Sequence, residues 1–144
     1  LERTGGCGDV FMYAANEDDT IALAFVALGA SEAAHASGGP TETVFDLSQS
    51  SVSLVVYTGE NVSHEFCNDA LWLEVMVEQE FLPLSGSATW SLVPDLESDG
   101  QYEDYWPAEA TLLLSEVKLS PAEDQSSITL DSLEFQAFVG WLPG

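Results

Sequence analysis

The chain has 144 residues, of which 46% are hydrophobic and 19% charged. That hydrophobic share excludes wholesale disorder, which needs low hydrophobicity together with high net charge. Asp and Glu total 25 against a Lys and Arg total of 2 (Arg3 and Lys118), a formal net charge of -23. A nucleic-acid partner and an anionic membrane surface are thereby excluded, because both are met by clustered basic residues.

The length fits one domain, residues 1–144, with no internal repeat and no linker. Two-residue alternation of apolar and polar side chains recurs along the chain and predicts strands. The first two, Val10 to Ala15 and Thr20 to Leu28, form a hairpin around the polar turn Asn16-Glu17-Asp18-Asp19. Their charged residues lie only in the turn, so the hairpin should be buried on both faces. Gly29 to Thr43 is a loop in which Ser31 to Ser37 makes a helical turn, with Ser31 as N-cap and Gly38 as terminator. Val44 to Leu47 and Val52 to Tyr57 are further strands, followed by the polar loop Thr58 to Asn68.

Leu71, Leu73, Val75 and Val77 alternate with Trp72, Glu74, Met76 and Glu78, a half-buried strand that Pro83 should interrupt or end. Ala88, Trp90 and Leu92 mark the next strand, closed by Pro94, and Asp95 to Pro107 is an acidic, aromatic loop. A strand runs from Ala110 to about Leu119, and Pro121 to Asp124 is a turn. Ile128 and Leu130 open one more strand, and Leu133, Phe135, Ala137 and Val139 form the last. About nine strands with turn signals every 8–12 residues predict an all-β fold, a single-domain antiparallel β-sandwich. Jelly-roll and immunoglobulin-like orders both remain open.

The two cysteines, Cys7 and Cys67, have no metal-ligand spacing and are expected to form a disulfide. The chain therefore reads as the mature part of a secreted or cell-surface protein. Its longest apolar run, Ile21 to Ala30, is too short to span a bilayer. Asn61-Val62-Ser63 fits the N-glycosylation pattern.

The segment from Asp95 to Asp104 carries the densest chemistry. Asp95, Glu97 and Asp99 at alternate positions, then Gly100, Gln101 and Glu103, imitate the first half of a calcium-binding loop. The bidentate acid expected at the twelfth position is replaced by Trp106. The expectation is a Ca2+ site on a β-protein loop, the alternative a solvated acidic turn. Tyr102, Tyr105 and Trp106 in the same loop could stack on sugar rings, or fold back to close one end of the molecule. Catalysis has little support. His35 and His64 are the only histidines, and the grouping of Ser63, His64, Glu65 and Asp69 is adjacency in a loop rather than a triad.

The reading that follows is a non-enzymatic extracellular or cell-surface structural or adhesive module, Ca2+-stabilised. It would self-assemble as a homo-oligomer or filament if the apolar segments Val10 to Ala15 or Leu133 to Trp141 lie at a sheet edge. The alternative is a carbohydrate-binding module that takes a surface glycan through the acidic aromatic loop. A hydrolase is a distant third.

Overall fold

The computed structural model describes residues 1–49, 52–68, 73–97, 106–121 and 126–141. Its elements in chain order are β1 (Arg3–Cys7), β2 (Phe11–Ala15), β3 (Ile21–Val26), α1 (Ala30–Ser37), β4 (Thr41–Asp46), β5 (Ser53–Glu60), β6 (Met76–Pro94), β7 (Ala108–Pro121) and β8 (Ile128–Val139). The strands pair antiparallel in the order β1-β2-β3-β5-β6-β7-β8, with β4 paired to β6. The fold is all-β, as expected, but the expected two stacked sheets are here one sheet curled into a half-barrel.

The long strands β6, β7 and β8 make this difference, because they run through both walls of the curl. β5 pairs with Met76–Phe81 of β6 and β4 with Ser87–Leu92, while β7 takes the other edge from Phe81 to Pro94. Pro83 therefore does not end the strand. It lies in the gap between β5 and β4, where one edge of β6 has no ladder and a missing N–H costs nothing. The register of β6 on β7 shifts between Pro83 and Ser85 and again between Ser85 and Ser87. Such bulges bend and twist a sheet. Gly86, at φ 121, sits at this bend, where a Cβ would lie 2.7 Å from the Val117 Cα. Glu116 on β7 takes φ 52, and the buried face steps there from Leu112 and Leu114 to Val117 and Leu119. Ile128–Leu130 and Leu133–Val139, expected as two strands, are one strand that follows the same change of phase.

Inside the curl, paired residues line up in apolar rows, which is how a sheet face buries area. Ala14, Leu23, Val56 and Phe81 form one row across β2, β3, β5 and β6. Trp90, Leu112 and Phe135 form another across β6, β7 and β8. The two walls meet where Trp90, 7% exposed, packs at 5.5 Å from Phe25 and 6.2 Å from Phe45 between ring centroids.

The expected two-sided burial of the first hairpin is observed. On the outer face of β2, β3 and β5 a second cluster joins Ala15, Ala22 and Val62 with Tyr57 and Phe66. Residues 61–68 fold over that face. Phe66 reaches the rings of Phe11, Tyr13 and Tyr57 at centroid distances of 5.4, 5.5 and 6.0 Å. The Cys7–Cys67 disulfide, formed as expected with a Cα–Cα distance of 5.7 Å, holds one end of this cover. Asp19 holds the other, accepting hydrogen bonds from the Ser63 N–H (3.1 Å) and hydroxyl (2.5 Å).

The first strand, β1, is absent from the sequence expectation because Gly5 and Gly6 argue against a strand. Their smallness is what the pairing needs: a Cβ on Gly5 would lie 2.6 Å from the Tyr13 ring, and one on Gly6 2.9 Å from Val139 Cγ1.

The disulfide closes a 60-residue separation, so the chain-entropy model gives it about 4 kcal/mol. The doubly substituted Cys7→Ser, Cys67→Ser chain is expected to lose about that much stability in urea unfolding. A loss under about 1 kcal/mol would show that packing alone seats residues 61–68.

Candidate functional site

The acidic segment that drew attention in the sequence is the connection between β6 and β7. Its two ends are clasped by the Asp95 N–H, which donates to the Pro107 carbonyl at 2.9 Å. Asp95 Oδ1 accepts the Glu97 N–H at 3.1 Å, and both acids are exposed. Asp99, Gln101 and Glu103, the remaining expected Ca2+ ligands, lie outside the described residues, as do Tyr102 and Tyr105. Among the described residues no group of three or more His, Cys, Asp and Glu could hold a metal ion.

Trp106 is half-buried and committed to the fold. Its ring meets His35 of α1 edge-on at 5.4 Å, and its backbone N–H donates to the Gly140 carbonyl at 3.1 Å. Gly140 has φ 79, and a Cβ there would lie 1.8 Å from the Trp106 carbonyl oxygen, so no other residue fits. Of the sugar-stacking trio, the described member thus closes one end of the half-barrel.

The histidines and serines considered for catalysis are placed as follows. His35 Nε2 donates to the Pro107 carbonyl at 2.7 Å, which docks α1 on the barrel end. Ser63 is 3% exposed and its hydroxyl is turned to Asp19, not to His64. Ser31 does not act as the N-cap. The cap position is Gly29, and the carboxylate of Asp9, from the β1–β2 turn, accepts from the N–H groups of Gly29 and Ser31 (3.1 Å for Ser31) and from the Ser31 hydroxyl (2.7 Å). Gly38 ends the helix as expected. In the Asn61-Val62-Ser63 triplet, Asn61 Nδ2 donates to the Glu74 carbonyl at 3.0 Å.

Among the described residues, two surfaces bear on the question of a partner. The first is an edge. Val10–Ala15 offers none, because β2 lies between β1 and β3. β8 ends the sheet order, and among the described residues its only ladder is to β7. At its C-terminal end β8 is tied to the β1–β2 turn: the Gly8 N–H donates to the Trp141 carbonyl at 2.8 Å and the Gly140 N–H to the Gly8 carbonyl at 2.5 Å. The second is a shallow depression of about 570 Å3 on the outer face of β6, β7 and β8, lined by Val93, Pro94, Asp95, Glu109, Gln136, Ala137 and Phe138. The edge overlaps Leu133 to Trp141, one of the two segments expected as an edge from the sequence, whereas the depression was not visible there because it depends on which strands become neighbours.

Among the described residues every Asp and Glu is exposed except Asp9 and Asp19, both half-buried and both bonded as above. One of the two cations, Arg3, lies 3.7 Å from Asp19. A formed disulfide fits an oxidising compartment, and no described helix is long and apolar enough to cross a membrane. Comparison with protein-family models, curated proteins and solved structures finds no match to this chain.

On the outer face, Tyr57 stands directly across from Glu80. Burial raises its phenol above the ordinary value of 10.0, and the Glu80 carboxylate adds to the rise. The folded chain therefore keeps a proton that the unfolded chain gives up. This contribution is full below the unfolded value and is lost as pH climbs through the folded one. Above pH 10.0 the urea midpoint of the native chain should fall more steeply than that of Tyr57→Phe, and superimposable profiles would contradict the assignment.

Proposed function

We propose that this chain is a non-enzymatic structural or adhesive module of an exported or cell-surface protein, and that it associates through the edge of β8. The observation that carries this reading is that, among the described residues, β8 (Ile128–Val139) ladders only with β7. The stretch of its other edge before the clasped C-terminal end is a template for another strand. Supporting it, the buried polar groups Ser31 and Ser63 serve to tie loops to the sheet, and the disulfide matches an export route. Ca2+ on the acidic β6–β7 connection, through Asp95, Glu97, Asp99, Gln101 and Glu103, would steady the neighbouring end of the fold.

Charge sets the condition for association. A net charge of -23 spread over 8239 Å2 puts neighbouring charges roughly 19 Å apart. That exceeds a Debye length of about 8 Å at physiological salt but not one of about 30 Å in dilute buffer. The β8 edge itself carries Asp131 and Glu134, both exposed, and like charges across a strand pair destabilise it. Two copies should therefore stay apart at low salt and pair once screened.

Sedimentation velocity tests this. The native chain should be monomeric at about 10 mM NaCl and form dimers or larger species at about 0.5 M. Ser132→Pro, which breaks the strand edge, should stay monomeric in both. CaCl2 at matched ionic strength should associate the native chain further than NaCl does, and Asp99→Ala should remove that excess. Monomers at every salt concentration would overturn the edge reading. Equal behaviour in NaCl and CaCl2 would overturn the calcium reading alone.

A further inference from the structure

We propose that the β8 edge along Ile128–Phe135 pairs with the same stretch of a second copy, antiparallel about a two-fold axis between Asp131 and Ser132, and so builds a closed dimer rather than a filament. This rests on the edge reading above and gives that edge its partner, its register and its stoichiometry. Among the described residues, the contacts that hold the other side of β8 gather at its C-terminal end. Gly8 exchanges hydrogen bonds with Gly140 and Trp141. A Cβ on Gly6 would lie 2.9 Å from Val139 Cγ1 and 3.0 Å from Ala137 Cβ.

The alternation along β8 selects the register. Ile128, Leu130, Leu133 and Phe135 pair with Leu119, Val117, Leu114 and Leu112 of β7, all four buried, and paired residues share a sheet face. Those four positions of β8 therefore face inward, while Thr129, Asp131, Ser132 and Glu134 are exposed. The inward positions alternate on either side of Asp131 and Ser132, and the phase breaks between these two residues. In antiparallel pairing such a strand fits itself along this whole stretch only when the break lies on the axis. Leu130 then stands across from Leu133 of the second copy and Ile128 across from its Phe135. Thr129 stands across from its Glu134, and Asp131 across from its Ser132. Inward meets inward and outward meets outward at every pair. A slip by one residue sets Ile128 or Leu130 across from Glu134, on opposite faces. A slip by two sets either Asp131 across from Glu134 or Leu130 across from Asp131. Parallel pairing in register stacks each acid on its own copy, which destabilises a strand pair.

With the break on the axis, the apolar rows run on from one copy into the next. The row Val117–Leu130 continues into Leu133 and Leu114 of the second copy, and Leu119–Ile128 into its Phe135 and Leu112. Ile128, 48% exposed in the single chain, is covered by this. The charges are compatible with the same register, because each acid meets a hydroxyl: Asp131 meets Ser132, and Glu134 meets Thr129. Lys118, one of the two cations, pairs with Thr129. It thus stands two strands, roughly 10 Å, from Glu134 of the second copy on one face. The repulsion that remains closest is between the two Asp131 residues, diagonal across the axis, and salt screens it. A two-fold contact uses the same edge of both copies and leaves none over, so assembly through it stops at two.

The test mixes isotope-labelled and unlabelled full-length chain at about 0.5 M NaCl, where association is expected, and records filtered NOEs that report only contacts between copies. Cross-peaks should join Leu130 to Leu133 and Ile128 to Phe135. Sedimentation equilibrium of the same samples should level off at the dimer mass. Thr129→Lys, which faces Glu134 of the second copy twice in each dimer, should tighten the dimer about fivefold. Adding Glu134→Gln to it should remove that gain. Glu17→Gln makes the same change of net charge in the β2–β3 turn and should leave the dimer constant within about twofold. Asp131→Asn, a second probe should Thr129→Lys fail to fold, should lower the salt needed for pairing further than Glu17→Gln does. Monomers under every condition would overturn the edge reading and this proposal with it. Dimers whose filtered NOEs join other residues, equal effects of Glu17→Gln and of the β8 variants, or masses that grow beyond two copies would overturn the two-fold register and leave the edge reading standing.

Discussion

The turn between β1 and β2 holds the molecule's separate parts together. Four consecutive residues, 7–10, each reach a different segment. Cys7 is bonded to Cys67 of the outer cover. Gly8 exchanges hydrogen bonds with Gly140 and Trp141 at the end of β8. The Asp9 carboxylate caps α1 at Gly29 and Ser31, and the Val10 carbonyl accepts the Ala27 N–H at 3.0 Å. A curled sheet with unpaired ends is prone to open. Here the covalent bond, the β1–β8 clasp and the helix cap all draw on the same short turn, so opening one of them disturbs the others.

Around this turn the separation of apolar and acidic side chains is nearly complete. The inner rows on β2, β3, β5, β6, β7 and β8 hold aliphatic and aromatic groups, while the acids face water. The two half-buried exceptions, Asp9 and Asp19, are the ones that tie loops to the sheet. Asp19 also lies 3.7 Å from Arg3, an ion pair at one of these ties. The chain's net charge of -23 lies on the surface, where it repels like-charged copies most at low ionic strength.

Most strand positions, the disulfide and the helix stop at Gly38 were legible in the sequence, because each rests on local pattern or on cysteine count, but the half-buried strand expected from Leu71 begins at Met76, and Met76 to Glu80 are exposed. What was misread has physical causes. Ile128–Leu130 and Leu133–Val139 were taken apart at a change in hydrophobic phase, and the stretches on either side of Pro83 were taken apart because the proline was read as a strand end. A local irregularity such as the φ of 52 at Glu116 changes the phase without ending the strand, and sequence periodicity cannot distinguish it from a turn. Gly5 and Gly6 conceal β1 for a related reason, since their value lies in the approach of Tyr13 and Val139 from elsewhere in the chain. The role of Asp9 and the row Val93–Glu109–Phe138 were beyond reach, because they need strands distant in sequence to become neighbours. The calcium expectation falls mostly on residues 98–105, outside those described.

Native-state hydrogen exchange tests the place of the 7–10 turn most directly. The amides of Gly8, Ala27, Ser31 and Gly140 are the donors that join this turn to β8, to the end of β3 and to α1. The account predicts that they exchange together, at the same opening free energy as the amides of Met12 and Phe25 in the core strands. Exchange of Gly8 and Gly140 through separate, low-energy openings while the core stays protected would contradict it.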